Sequence, residues 1–272
     1  MLKILCPTDF SANSEFSVEY AINISNDLGA KLHFITSFKV PQMSGRMGSF
    51  SDKISEAMED DLHYFVEKYL PLITTGQKPK YSVVEGNTTV SILRYARKND
   101  IDLIIMGTKG SSSVQSMVMG SITKKLFETA DIPVLAIPFS LRYHVTKNTL
   151  LLCLDHKGIS CDKSISLLKA FKTLPDVVFD VFHVKTPNEK LNLGESTGKL
   201  AGMINNIIEV ESDDVVSAIK KYADNNDHVG IIAMVGHQHS YWERLFMESN
   251  STAELFATNK PILLLPEPQY EK

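Results

Sequence analysis

Residues Asp102–Thr123 read DLIIMGTKGSSSVQSMVMGSIT. They open with an apolar run, Asp102–Met106, of the continuous kind shown by a strand buried on both faces of a parallel sheet. Gly107 ends that run, Gly110 follows after two residues, and Gly120-Ser121 follows after nine more. Ser121–Thr129 then reads as a helix. Chemically the loop suits a polyphosphate. Glycines let backbone N–H groups approach anionic oxygens, and they permit φ > 0 where the chain must curl. Ser121 and Thr123 open the helix at the positive end of its dipole, and Lys109 can add a charge-assisted contact. The same spacing also fits a plain strand–loop–helix connection, because glycines are common in loops.

Working outward, strands and helices alternate. Lys3–Cys6 is an apolar run, and Ser11 can cap the helix after it through its hydroxyl. Phe16, Tyr20, Ile24 and Leu28 recur every four residues on one face of that helix, and Gly29 stops it. Leu32–Phe38 reads as a second strand and Val40–Ser51 as a loop. Ile54, Met58, Leu62, Phe65 and Tyr69 mark a second amphipathic helix. Tyr81–Val84 is a third strand, Gly86-Asn87 a turn, Thr89–Lys98 a helix and Pro133–Ile137 a fifth strand. This rhythm predicts right-handed crossovers and a doubly wound parallel α/β sheet. Such sheets bind ligands at the carboxyl ends of their strands.

The chain then repeats itself. Leu2–Asp9 (LKILCPTD) is echoed by Leu150–Asp155, Asp102–Gly107 (DLIIMG) by Gly230–Gly236 (GIIAMVG), and Ile132–Pro138 by Lys260–Pro266. Three landmarks in the same order indicate a tandem duplication. The predicted domains are 1–140 and 147–272, with Ser140–Asn148 as the linker. The composition agrees with two soluble domains: 272 residues, 43% hydrophobic and 22% charged. A net charge of −4 argues against a nucleic-acid surface. No apolar run approaches the ~20 residues of a membrane span, and the N-terminus lacks a signal-like apolar region. Cys6 and Cys153 lie in apolar runs, which with Cys161 makes an odd, sparse count read as reduced thiols. A cytoplasmic location is expected.

The Gly107-x2-Gly110-x9-Gly120-Ser121 pattern resembles the nucleotide-binding signature of the universal stress protein family. Pro7-Thr8-Asp9-Phe10-Ser11 is similar to that family's opening strand and turn, and Ile132-Pro133-Val134 to its last strand. The likeness covers both halves, so the chain resembles a tandem member. It implies two tandem doubly wound five-stranded parallel sheets of order 3-2-1-4-5 with flanking helices, and it places the first half in the subclass that binds ATP. The implied contacts set Asp9 against the adenosine, with Pro7 and Thr8 shaping that wall. The apolar second-strand position lining the adenine pocket falls at Ser37, which is not apolar. Met106 and Gly107 would border the ribose and first phosphate. Gly110, Gly120, Ser121, Ile122 and Thr123 would wrap the phosphates beside Lys109, with Mg²⁺ bridging phosphate oxygens. The family's last strand pairs across dimer interfaces. The two halves are therefore expected to pair within the chain, with a homodimer and an unidentified protein partner as further possibilities.

The second half departs from the pattern. Aligning Gly236 with Gly107 puts His239 at the place of Gly110 and Ser249-Asn250 at that of Gly120-Ser121. Asp155 keeps the first-strand acid, but Pro7-Thr8 has no counterpart. One ATP site, in the first half, is the expectation.

Other signals are weaker. Gly194–Lys199 has three residues between its glycines and a leucine after its lysine, whereas a phosphate-binding loop needs four and a Ser or Thr. His237-x-His239 lacks a third metal ligand nearby. Trp242 and Arg244 suit helix packing, Glu59-Asp60-Asp61 a solvated face, and Asp213-Asp214 the first turn of a helix. Three function classes follow. The first is a nucleotide-binding stress-response regulator with slow or no ATP hydrolysis. The second is an interaction scaffold binding AMP or nothing. The third is an adenine-nucleotide enzyme on a related fold. Such enzymes carry a Ser-Gly-Gly-rich loop or a His-x-Gly-His element after the first strand, and Thr8–Ala12 offers neither.

Overall fold

A computed structural model describes residues 1–40, 48–108, 119–139, 141, 143, 148–155, 157–185, 197–236 and 258–267. The first half alternates β1 (Lys3–Pro7), α1 (Ala12–Leu28), β2 (Lys31–Phe38), α2 (Gly48–Tyr69), β3 (Lys80–Glu85), α3 (Thr88–Lys98), β4 (Leu103–Gly107), α4 (Ser121–Thr129) and β5 (Val134–Ile137). The second half follows with β6 (Thr149–Cys153), α5 (Asp162–Lys172), β7 (Val178–Lys185), β8 (Asn206–Glu211), α6 (Val215–Asn225), β9 (Val229–Gly236) and β10 (Ile262–Pro266).

Local chemistry sets these bounds. Ser11 caps α1, its hydroxyl accepting from the Ser14 N–H at 3.3 Å, and Gly29 ends the helix at φ 60°. Asn87 caps α3 in the same way through the Val90 N–H. Asp214 caps α6 by accepting from the N–H groups of Val216 and Ser217, just ahead of the helix rather than within its first turn. The predicted loop over Val40–Ser51 is corrected at its end, since α2 already begins at Gly48; residues 41–47 lie outside the described residues.

Each half has the strand order 3-2-1-4-5, and the two five-stranded sheets are joined. The order is β3-β2-β1-β4-β5-β10-β9-β6-β7-β8, a single sheet of ten strands. All neighbours are parallel except β5 and β10, which run antiparallel with Leu135 opposite Leu263. That pairing relates the halves by a local two-fold axis through the Leu135–Leu263 pair. Two consequences follow. Both edges of β5 and of β10 are occupied within the chain, and the carboxyl ends of the strands in the two halves point to opposite rims.

Helices cover both faces. One core joins α1, α2 and α5 through residues such as Ile22, Phe65 and Phe171, and the other joins α3, α4 and α6 through Ile92, Leu126 and Ile219. Each core runs across both halves. Leu135 and Leu263 at the seam are fully buried, and a buried leucine side chain contributes about 1.5–3 kcal/mol. No helix among the described residues is long and apolar enough to cross a membrane.

The two-fold axis also corrects the alignment of the repeats. Leu135 corresponds to Leu263, so Met106, opposite Ala136, corresponds to Met234, opposite Leu264. Gly107 therefore matches Val235, and Gly236 matches Thr108, one residue away from the match the sequence suggests. Likewise the Thr8 N–H donates to Ile35 and the Leu154 N–H to Phe182, so Thr8 matches Leu154 and Pro7 matches Cys153. Cys6 and Cys153 face opposite cores. Both are buried free thiols, and Cys161 is a partly exposed one.

Candidate functional site

The carboxyl rim of β1 and β4 is where the sequence places a ligand. β1 ends at Pro7, and Thr8 is buried behind it. The Thr8 hydroxyl lies 3.1 Å from the Ser14 hydroxyl and accepts from the Phe10 N–H at 3.1 Å. Asp9 is exposed, and its Oδ1 accepts from the Ser11 N–H at 3.1 Å and from the Ser11 hydroxyl at 2.5 Å. This is an Asx-type turn, and it aims the carboxylate along the rim. Between Asp9 and Ser11, Phe10 sits at φ 60°. A non-glycine residue there costs about 1–3 kcal/mol. The edge-on contact of its ring with Phe65, 5.4 Å between centroids, helps to offset that cost.

Beside it, β4 hands over to α4. The Gly120 N–H donates to the Thr108 carbonyl at 2.7 Å, and the Thr123 hydroxyl donates to the Gly107 carbonyl at 3.0 Å. These two bonds lock the start of α4 against the end of β4. Gly120 is the N-cap in an extended conformation, without a side-chain cap bond, and the first turn carries no acid. Among the described residues, the amides opening α4 thus meet no side-chain cap, unlike those of α1, α3 and α6. Such an end favours an anion.

The remaining candidates divide. Ser121 and Ile122 are exposed. The Met106 side chain is buried in the α3–α4 core, which leaves its backbone to face a ligand. Ser37 lies at the carboxyl end of β2, and its hydroxyl donates to Thr88 at 2.9 Å. Lys109 and Gly110 lie outside the described residues, as do His237, His239, Trp242, Arg244, Ser249 and Asn250. Sequence reasoning missed Thr108, which joins the Ile137 carbonyl to the Gly120 N–H. A threonine directly after a strand-ending glycine carries no distinctive signal. Cys6, one residue before Pro7, is fully buried; desolvation pushes its thiol up to about 12, against a lowering hydrogen bond from Ser17, so it is not a nucleophile at neutral pH. No cluster of three His, Cys, Asp or Glu suited to a metal occurs among the described residues.

Among the described residues, the carboxyl rim of the second half carries different groups. Leu154 replaces Thr8 and is buried. A Cβ on Gly236 would lie 3.3 Å from the Leu264 side chain, so strand packing accounts for that glycine. The Glu267 carboxylate lies before α5, accepting from the Ser160 and Cys161 N–H groups at 2.9 and 3.0 Å and from the Ser160 hydroxyl at 2.5 Å. Of the phosphate-loop-like stretch, only residues 197–199 are among the described residues. Gly198–Met203 is a short 3-10 helix, and Lys199 pairs with Asp162 at 2.6 Å.

Fold and rim together define a doubly wound α/β protein, duplicated and joined edge to edge. The chain belongs to the universal stress protein family, whose profile matches residues 1–138. Universal stress protein MJ0531 of Methanocaldococcus jannaschii is 29% identical over 137 residues, covering 50% of this chain and 81% of that one. Universal stress protein MJ0577 of the same organism is 24% identical over 152 residues, covering 50% and 93%. The crystal structure of a universal stress protein from Archaeoglobus fulgidus superimposes with a TM-score of 0.68 at 18% identity, covering 99% of this chain and 97% of that one. That last likeness shows that the tandem fold is shared along the whole length.

Proposed function

We propose that the protein is a stress-response regulator that binds one ATP per chain, in a first domain spanning 1–140, and that the second domain, 147–272, is a degenerate partner. The observation that carries this reading is the start of α4. Among the described residues its amides have no side-chain cap, and the Gly120–Thr108 and Thr123–Gly107 bonds fix them against the end of β4, the strand next to β1. A phosphate chain laid against Gly120, Ser121, Ile122 and Thr123 would supply the acceptors that the helix end lacks. Lys109 and Gly110 would close the loop over it. Asp9 would accept from the ribose or the adenine amine, beside Pro7, Thr8, Ser37 and the backbone of Met106 and Gly107.

Mg²⁺ would be held chiefly by the phosphate oxygens, as is usual for such ligands. Hydrolysis is expected to be slow or absent. Asp9 is held in its turn by Ser11, and the buried Cys6 thiol stays protonated. The second reading, a scaffold binding AMP or nothing, is separated by the same experiment.

Nucleotides released by denaturing the purified protein are identified by mass spectrometry, followed by calorimetry with ATP, ADP and AMP with and without Mg²⁺. About one ATP per chain supports the proposal. Two per chain would make the second half a site as well. No titratable nucleotide would leave the scaffold reading.

A further inference from the structure

The opposite rim, at the amino ends of β1–β3, has a different character. Lys3, Lys31 and Lys80 begin three adjacent strands, and Lys3 lies directly opposite Lys31 in register. Like charges so placed repel one another. Next to them a groove of about 650 Å³ runs between edge strand β3 and α3, lined by Lys80, Tyr81, Ser82, Arg94, Tyr95 and Lys98 among others. Arg94 and Lys98 are one turn apart on α3, so they project to the same side.

Several cations described in this chain are paired with acids. Lys3 pairs with Asp100, Lys68 with Glu15, Lys125 with Glu128, and Arg97, between the two groove cations of α3, with Asp131. Lys31, Lys80, Arg94 and Lys98 have no ion pair among the described residues, and Arg94 makes one 3.3 Å hydrogen bond, to the Glu85 carbonyl. No acidic residue lines the groove. Its inner wall leads to His33, which is 1% exposed. The His33 Nδ1 lies 3.1 Å from the Tyr95 hydroxyl, and its Nε2 is buried without a partner. Burial, then Lys80, Lys31 and Lys3, lowers the pKa of this imidazole to about 4.

We propose that the groove between β3 and α3 is a second ligand site, which takes a multivalent phosphate anion on Lys80, Arg94 and Lys98. Arg94 can fork onto two oxygens of one phosphoryl group while the lysines serve as point charges. Cations spread along the groove suit a chain of phosphoryl groups better than a single ion. The groove runs along edge strand β3, from Lys80 at its amino end to Arg94 beside the Glu85 carbonyl at its carboxyl end, and β3 lies two strands away from β1 and the α4 rim.

The probe is inorganic tripolyphosphate, titrated calorimetrically into the full chain carrying Gly120→Glu, which removes the α4 rim as a competing anion site. Binding should persist in that background and weaken at least about tenfold on adding Arg94→Glu with Lys98→Glu. Both residues are exposed, and the milder Arg94→Gln with Lys98→Gln should weaken it by a smaller factor while the thermal midpoint is kept. The His33 ring resonances should move on saturation only where the groove cations remain. Absence of tripolyphosphate binding in the Gly120→Glu chain would overturn the proposal. So would unchanged affinity in both groove variants.

Discussion

The two carboxyl rims of this sheet share a backbone and differ in what ends it. In the first half, β1 runs into Thr8 and Asp9, polar groups held by Ser14 and Ser11, and α4 opens without a side-chain cap among the described residues. In the second half, Leu154 replaces Thr8, Val235 replaces Gly107, and the Glu267 carboxylate sits before α5 on amides of its own chain. The core survives intact while the rim changes, because core positions alternate by strand and are set by both sheet faces. A rim position carries no such packing constraint. Duplication therefore preserved a ten-stranded sheet while the two rims diverged.

The comparison breaks most severely at the seam. Leu263→Asp would place a carboxylate where the side chain is fully buried between Leu135 and both neighbouring strands. A cost of more than about 4 kcal/mol is expected, visible as a large fall in the denaturation midpoint. If the halves unfolded independently and the first kept its midpoint, cores shared by both halves would be wrong. Gly120→Glu ranks next. It adds a side chain and a negative charge where the proposed phosphates lie, so calorimetry should detect no ATP binding while the fold is kept.

A third difference lies inside the sheet. Position 33 of β2 matches position 180 of β7, where Asp180 accepts from the Asn206 side chain at 2.7 Å. His33 is instead neutral, its pKa lowered from 6.5 to about 4, first by burial. As pH falls, the imidazole of the unfolded chain takes up its proton first. Stability from neutral His33 is thus complete above about pH 6.5 and is lost on the way down to pH 4. The slope is at most about 1.4 kcal/mol per pH unit. Urea titrations at pH 7 and pH 5 should show this loss, and His33→Gln should flatten it. An equally steep loss in the variant would assign the effect to other groups.

Asp9→Ala should weaken ATP binding by about 1–3 kcal/mol, the usual loss for a charged hydrogen-bond partner. Asp155→Ala, its counterpart, should leave ATP affinity unchanged in the same titration. Equal effects would mean that the two rims are functionally alike.

Most of the fold was legible because it rests on periodicity. The four-residue spacing of Phe16, Tyr20, Ile24 and Leu28 and the apolar runs of the strands follow directly from the geometry of helices and sheets. The glycine spacing beyond β4 similarly marked the start of α4 at Ser121. The match between the halves was legible only to within one residue. The motifs DLIIMG and GIIAMVG both end in glycine, but strand register, which a linear motif does not encode, pairs Met234 with Leu264 as it pairs Met106 with Ala136. Phe10 gave no sign of its left-handed backbone, since its neighbours and the Phe65 ring impose it.

Glu267 was the least legible, because its partners lie more than a hundred positions away. Its effect is also the smallest to measure. Glu267→Ala removes a charge from the start of α5 and three acceptor contacts, at a partly exposed position where water can replace them. The expected loss is about 1 kcal/mol, and Glu267→Gln should recover part of it, because an amide oxygen still accepts. The informative readout is nucleotide stoichiometry. Leu154 and Val235 would still close the second rim, so the ratio should stay at one ATP per chain. A rise to two would show that a single carboxylate, rather than the refilled strand ends, separates the two halves.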